Sequence, residues 1–202
     1  KKAAETKYNL QNHIADLIKS TSTDLPDDVE KAIFLMSKKE ADGSRAKNTL
    51  KMILENIKVA RESERPICQD TGTLIFYVTK PVGISQNEII QAIKGAIKIA
   101  TKKSFLSPNT VCPITGYNPG NNLGEGQPYI HIDEAKSKKI KIELAMKGGG
   151  SENVSAQYKL PDSSLKAVRD LLGVEKCVVN AILKAQGQGC APGVIGVGIG
   201  GD

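Results

Sequence analysis

The apolar spacing changes character at Pro66, and that change restricts the chain to folds in which helices come first and strands follow. From about Tyr8 to Glu64 the spacing is helical. Leu10, Ile14, Leu17 and Ile18 form one stripe, Val29, Ile33, Phe34 and Met36 a second, and Leu50, Ile53, Leu54 and Ile57 a third. Asp24-Leu25-Pro26-Asp27 reads as a helix start, and Asp42-Gly43-Ser44 as a break before the next helix. After Gly72 the β-formers take over with Thr73-Leu74-Ile75-Phe76-Tyr77-Val78. The spacing then predicts a helix near 86–101, marked by Ile89, Ile93, Ile97 and Ile99, and strands over 74–79, 128–133 and 139–146. Between them a loop from Ser107 through Gly126, rich in proline, asparagine and glycine, is long enough to be a functional segment. The last region predicts helices near 162–172 and 175–186 and a closing strand over 193–199. This order argues for an α+β (mixed α/β) fold, a helical N-terminal region packed on a mixed sheet with flanking helices. The expected organisation is one domain over 1–202, with a helical front of about 1–64 and an α/β body of about 65–202.

Composition bounds the function without naming it. With 202 residues, 40% of them hydrophobic, the chain can bury a core. Its longest apolar runs are broken by Lys, Gly or Asn well short of the roughly 18 residues a membrane span needs, and its Lys-rich start lacks the apolar core of a signal peptide. No membrane association and a cytoplasmic location are therefore expected. The net charge is +6, but aromatics make up only 4% and the lysines are scattered along helices. They read as solvated faces rather than a nucleic-acid surface, and the basic balance suits a small anionic substrate.

The chemistry-bearing residues gather in a few turns. Cys68, Cys112, Cys177 and Cys190 lie far apart with no C-x-x-C pair, so structural disulfides are not expected. Cys177, in Lys176-Cys177-Val178-Val179, reads as a small buried hydrophobe, and Cys112 before Pro113 reads either way. Cys68 and Cys190 are flanked by polar or turn-forming residues, in loops where a thiolate can face a cavity. Pro66-Ile67-Cys68-Gln69-Asp70-Thr71-Gly72 sets a thiol beside a carboxamide, a carboxylate and a turn glycine. That set suits a metal site that also grips a polar substrate; an isolated nucleophile and a buried turn are the other readings. Gly148-Gly149-Gly150 is either an anion-binding backbone or a flexible turn. Gly196 to Gly201 satisfies G-x-G-x-x-G but lacks the following helix and downstream acid of a dinucleotide site. His13 and His131 offer no metal-ligand spacing, and His131 reads as an ordinary strand residue.

Together, Pro66 to Gly72, Asn118-Pro119-Gly120-Asn121-Asn122, Met146-Lys147-Gly148-Gly149-Gly150-Ser151-Glu152-Asn153 and Gly189-Cys190-Ala191-Pro192 resemble the iron–sulfur hydro-lyases, the class I fumarases and the α subunits of tartrate dehydratases. The likeness runs from about Ala46 to the C-terminus, with four motifs in the same order.

The resemblance implies a 4Fe-4S cluster held by three cysteines, whose remaining iron acts as a Lewis acid on a small 2-hydroxy dicarboxylic acid during reversible loss of water. It implies Cys68 and Cys190 as two ligands, Gln69 and Asp70 as substrate contacts, Asp70 as the proton-transfer residue, and Gly148, Gly149 and Gly150 as backbone donors to a substrate carboxylate. The third cysteine of such relatives lies in a continuation beyond the glycine-rich strand, and Cys112 and Cys177 do not match it. The resemblance further implies a β subunit or C-terminal domain that completes the site, an oligomeric assembly, and an inactive state for this chain alone, as if truncated at its C-terminus. Relatives commonly carry an arginine where this chain has Ser107, which leaves the choice of diacid open. A non-catalytic binding or assembly subunit that keeps the fold is the rival expectation.

Overall fold

In the structure, a computed structural model, residues 2–200 are described, with side chains from Leu10 onward. The chain divides into two compact units, Lys1–Gly148 and Gly149–Asp202. Among the described residues no helix is long and apolar enough to cross a membrane.

The first unit opens with three helices, α1 (Lys2–Thr23), α2 (Asp27–Lys39) and α3 (Arg45–Ser63). Their boundaries follow the local chemistry expected of them. Pro26 stands at the N-cap of α2, and the Ser44 hydroxyl accepts from the Lys47 N–H at 3.1 Å to start α3. Helix α3 ends where Glu64 turns left-handed at φ 53°, its N–H bonding back to the carbonyls of Ala60 and Arg61. The first stripe buries Ile14 and Ile18, and the third and second bury only Ile57 and Ile33 fully. Phe34 and Met36 are exposed, because α2 packs mainly on α3 and so spends a narrower face. Arg61 ties α3 to the start of α2, its guanidinium 2.7 Å from the Asp24 carboxylate and 2.5 Å from that of Glu30. The hydrogen bond from Arg61 holds the Asp24 carboxyl below its ordinary range.

Strand β1 (Thr73–Pro81), helix α4 (Gln86–Lys102), and strands β2 (Tyr129–Ala135) and β3 (Lys141–Lys147) complete this unit. The sheet order is β2-β1-β3, with β1 parallel to β2 and antiparallel to β3. Period-two alternation on β1 sends Leu74, Phe76 and Val78 inward, where they meet Ile14 and Ile18 of α1 and Ile89, Ile93, Ala96 and Ile97 of α4. This is the expected α+β arrangement, helices packed on one face of a small mixed sheet. On the opposite face Tyr77 stacks on His131, ring centroids 5.1 Å apart, so His131 is a cross-strand partner.

The same alternation puts Lys80 inward, only 1% exposed, and its register partner Glu134 supplies the counter-charge. Removing that partner leaves an ammonium in the core. Glu134→Ala should lower unfolding free energy by about 1–3 kcal/mol, less than a fully buried pair because the Glu134 side chain is half exposed, whereas Lys80→Met should stay within about 1 kcal/mol of wild type. Urea denaturation of the two variants measures the difference; equal losses would show that the lysine's charge carries no burial cost.

The second unit holds a short 3₁₀ turn at Gly149–Ser151 and one helix, α5 (Leu171–Ala185). The helix expected over 162–172 does not form. Asp162 accepts from the N–H groups of Ser164 and Leu165 at 2.8 and 3.1 Å, and Lys166 turns left-handed at φ 49°, so a capped turn wins over helix. Helix α5 starts instead where the Asp170 carboxylate accepts from the Gly173 N–H at 2.7 Å. It covers most of the helix expected over 175–186. The closing strand expected over 193–199 is also absent. Gly193, Gly196 and Gly198 interrupt it, and Val194, Ile195, Val197 and Ile199 are all exposed. Gly201, the last glycine of that spacing, lies outside the described residues.

Candidate active site

Cys68, Gln69 and Asp70 occupy one exposed loop between α3 and β1. Ahead of them the loop is tied to two helices: the Ile67 N–H donates to the Ser22 carbonyl of α1 at 2.9 Å, and the Asn56 carboxamide of α3 donates to the Ile67 carbonyl at 2.8 Å. Behind them, Asp70 closes an Asx turn by accepting from the Gly72 N–H at 2.9 Å. The segment is thus anchored on both sides of the thiol.

The long loop after α4 comes back to hold this segment. Asn109 donates through Nδ2 to Asp70 Oδ1 at 3.1 Å and to the Gln69 carbonyl at 3.3 Å, while the Thr71 hydroxyl donates to Asn109 Oδ1 at 3.2 Å. Ser107 donates its backbone N–H to Thr71 Oγ1 at 3.2 Å. Asn122, 2% exposed, bonds in turn to the Ser107 carbonyl and the Thr101 hydroxyl at 2.9 and 3.0 Å, and its own oxygen accepts from the Thr110 N–H. Thr71, Asn109 and Asn122 are positioning residues; Thr71 and Asn122 fall inside motifs quoted above, but the sequence assigned none of the three a role. The available signal was chemical: carboxamides in a long loop can replace the backbone bonds that a strand or helix would supply.

Glycines mark where backbone must come close. Gly72 has φ +70°, and a Cβ there would sit 2.3 Å from the Lys147 carbonyl oxygen. At Gly148 a Cβ would stand 3.0 Å from Asp70 Oδ2, so the absence of a side chain lets the carboxylate lie against main chain. In the second unit, a Cβ at Gly150 would fall 2.6 Å from the sulfur of Cys190. Two residues of the triple glycine therefore border a predicted site residue within their own unit.

The four thiols are free and differ in surroundings. Cys177 is buried on α5, as its hydrophobic neighbours predict. Cys112 closes its own turn, and a hydrogen bond with the Thr115 hydroxyl, assisted by the Thr115 and Ile114 N–H groups, pulls its thiol below the ordinary range. Cys68 and Cys190 are exposed in coil. Soft, accessible sulfurs of that kind suit iron, and the close backbone at Gly150 leaves the Cys190 sulfur unobstructed by a side chain. Among the described residues of either unit, no three His, Cys, Asp or Glu side chains gather as a metal-binding group.

A family model described as Fumarate hydratase (Fumerase) matches residues 11–202. A Geobacillus stearothermophilus protein provisionally named fumarate hydratase class I is 47% identical over 196 residues, 96% of this chain and 38% of its own length. A Methanocaldococcus jannaschii protein provisionally named L(+)-tartrate dehydratase subunit alpha is 39% identical over 193 residues, 93% of this chain and 66% of its own. The L(+)-tartrate dehydratase subunit alpha of Escherichia coli K12 is 31% identical over 192 residues, 92% of this chain and 60% of its own. The chain therefore spans between 38% and 66% of the length of these relatives. With the match covering nearly all of its residues, the chain belongs to the fumarate hydratase (Fumerase) family.

Proposed function

We propose that this chain is the part of an iron–sulfur hydro-lyase that carries the proton-transfer carboxylate and two cluster ligands, acting in the cytoplasm on a small 2-hydroxy dicarboxylic acid of the malate or tartrate type. The observation that carries this reading is the anchored loop in which exposed Cys68 stands two residues from an Asp70 carboxylate held by Asn109 and by the Gly72 N–H. Cys68 and Cys190 would hold two corners of a 4Fe-4S cluster, with a third cysteine from a β subunit or a C-terminal domain. When bound, such a cluster supplies Lewis acidity toward a substrate hydroxyl and its neighbouring carboxylate.

The residues of this chain supply part of the remaining chemistry. Asp70 takes up or returns the proton at the carbon next to the hydroxyl-bearing one, and the fixed carboxylate needs little reorganisation to do so. Gln69, beside it on the loop, offers a carboxamide that can accept from a hydroxyl and donate to a carboxylate. The Gly148–Gly150 backbone would offer N–H donors to a substrate carboxylate, and at Gly148 a side chain would crowd Asp70. One relative is named a fumarate hydratase and another a subunit alpha, and the completing partner in this reading is either more of the same chain or a second one.

Anaerobic reconstitution of the full-length protein, with its partner subunit if it has one, tests the assignment. The wild type should develop the visible absorbance of a 4Fe-4S cluster and hydrate or dehydrate a diacid, and Cys68→Ser or Cys190→Ser should each abolish both. A complex that assembles without a cluster and without activity would overturn the enzymatic reading in favour of a binding or assembly subunit.

A further inference from the structure

A cleft of about 630 Å³ opens within the first unit beside the Cys68 loop, and its walls carry positive charge from two separate segments. Arg65 comes from the end of the α3 connection, Lys98 and Lys102 from successive turns of α4, and Ser104 and Ser107 from the following loop. No carboxylate lines it. Among the described residues none of the ion pairs engages Arg65, Lys98 or Lys102. A lysine in the last turn of a helix is ordinary, since it complements the carbonyl end of the dipole. Arg65 has no such reason to be there. Three cations facing a cleft without an acid raise the local potential, and a bound anion relieves it.

The cleft is also joined to the candidate active site through its own walls. Pro66, which lines it, lies two residues before Cys68, and Ser107, which lines it too, donates its N–H to Thr71 beside Asp70. We propose that this cleft is an anion subsite that takes one carboxylate of a dicarboxylic acid, with Arg65, Lys98 and Lys102 as its cationic contacts. The choice of a diacid rests on the hydro-lyase reading; the existence of the subsite rests on the cleft alone. Arg65 supplies the planar fork that grips a carboxylate, and Ser104 and Ser107 line the same cleft.

The test uses the 202-residue chain and succinate, a saturated diacid that undergoes no hydration, followed by calorimetry and amide chemical shifts at low salt. Succinate should bind saturably, shift the Ser104 and Ser107 resonances, and lose affinity roughly tenfold in Arg65→Gln and in Lys98→Gln/Lys102→Gln, with acetate weaker than succinate by a similar factor. No saturable binding, or unchanged affinity in variants whose circular dichroism matches wild type, would overturn the subsite. Tighter binding of inorganic phosphate than of succinate at the same resonances would overturn the carboxylate assignment. Because succinate binding needs neither cluster nor partner, a reconstituted enzyme that fails on every diacid while this binding persists refutes the hydro-lyase reading and leaves the subsite standing.

Discussion

Gly72→Ala should destabilise the first unit by about 2–6 kcal/mol, enough to unfold a marginally stable chain. Two costs combine. The residue has φ +70°, where an L side chain loses about 1 kcal/mol or more, and the added methyl would lie 2.3 Å from the Lys147 carbonyl oxygen, which belongs to strand β3 and cannot retreat without breaking its pairing with Thr73. Gly43→Ala provides the matched control. It has φ +77° but nothing within 4 Å, so only the backbone penalty of about 1 kcal/mol applies. Urea denaturation of both variants should show a midpoint shift several times larger for position 72; equal shifts would mean that the close approach to β3 is not a real constraint. A backbone shift at position 72 also displaces the N–H that fixes Asp70, so a surviving variant should be poor in cluster loading as well.

Asp70→Asn should lower turnover of the reconstituted enzyme by roughly 10²- to 10⁴-fold while leaving cluster absorbance and fold unchanged. The amide is nearly the same size, and its oxygen can still accept from the Gly72 and Asn109 N–H groups, so the loop keeps its shape. What is lost is the capacity to take up a proton. Asp70→Ala is the harsher variant, because it strips two donors of their acceptor and releases the loop. If Asp70→Asn retains more than about a tenth of wild-type turnover, the proton passes through another group, and Asp70 serves only to orient the loop.

The contrast between those two variants also marks what the sequence made legible. Helix-period stripes located α1, α3 and α4, and β-forming runs located the three strands, because a period of 3.6 or 2 is written directly in the residue order. The ends of the chain's last region were not legible in this way. A run such as Pro161-Asp162-Ser163-Ser164-Leu165 has residues compatible with a helix start, but Asp162 spends its carboxylate on the turn before any helix can propagate. Val194 to Ile199 alternates like a strand, yet a strand needs an edge to pair with, and no local pattern reports whether one is available. At the candidate site, the motif chemistry of Cys68, Gln69 and Asp70 was readable while the supports were not. Asn109 lies 39 residues from Asp70, and only the return of the long loop to β1 makes them neighbours. Lys80 was equally hidden, since a lysine at the end of an alternating strand reads as solvent-facing until the β2 register brings Glu134 to it.

The two hydrogen bonds at Ile67, one from its N–H to α1 and one to its carbonyl from α3, give the helical layer a second occupation. Those helices are a splint that grips the loop by its backbone, one residue before the thiol. The smallest portable piece that keeps Cys68 and Asp70 in their present geometry is accordingly not the seven-residue motif but that motif together with Ser22, Asn56 and the returning Asn109, three contacts spread over most of a hundred positions. Grafting the motif alone onto another helix-to-strand junction would transfer its spelling without its shape.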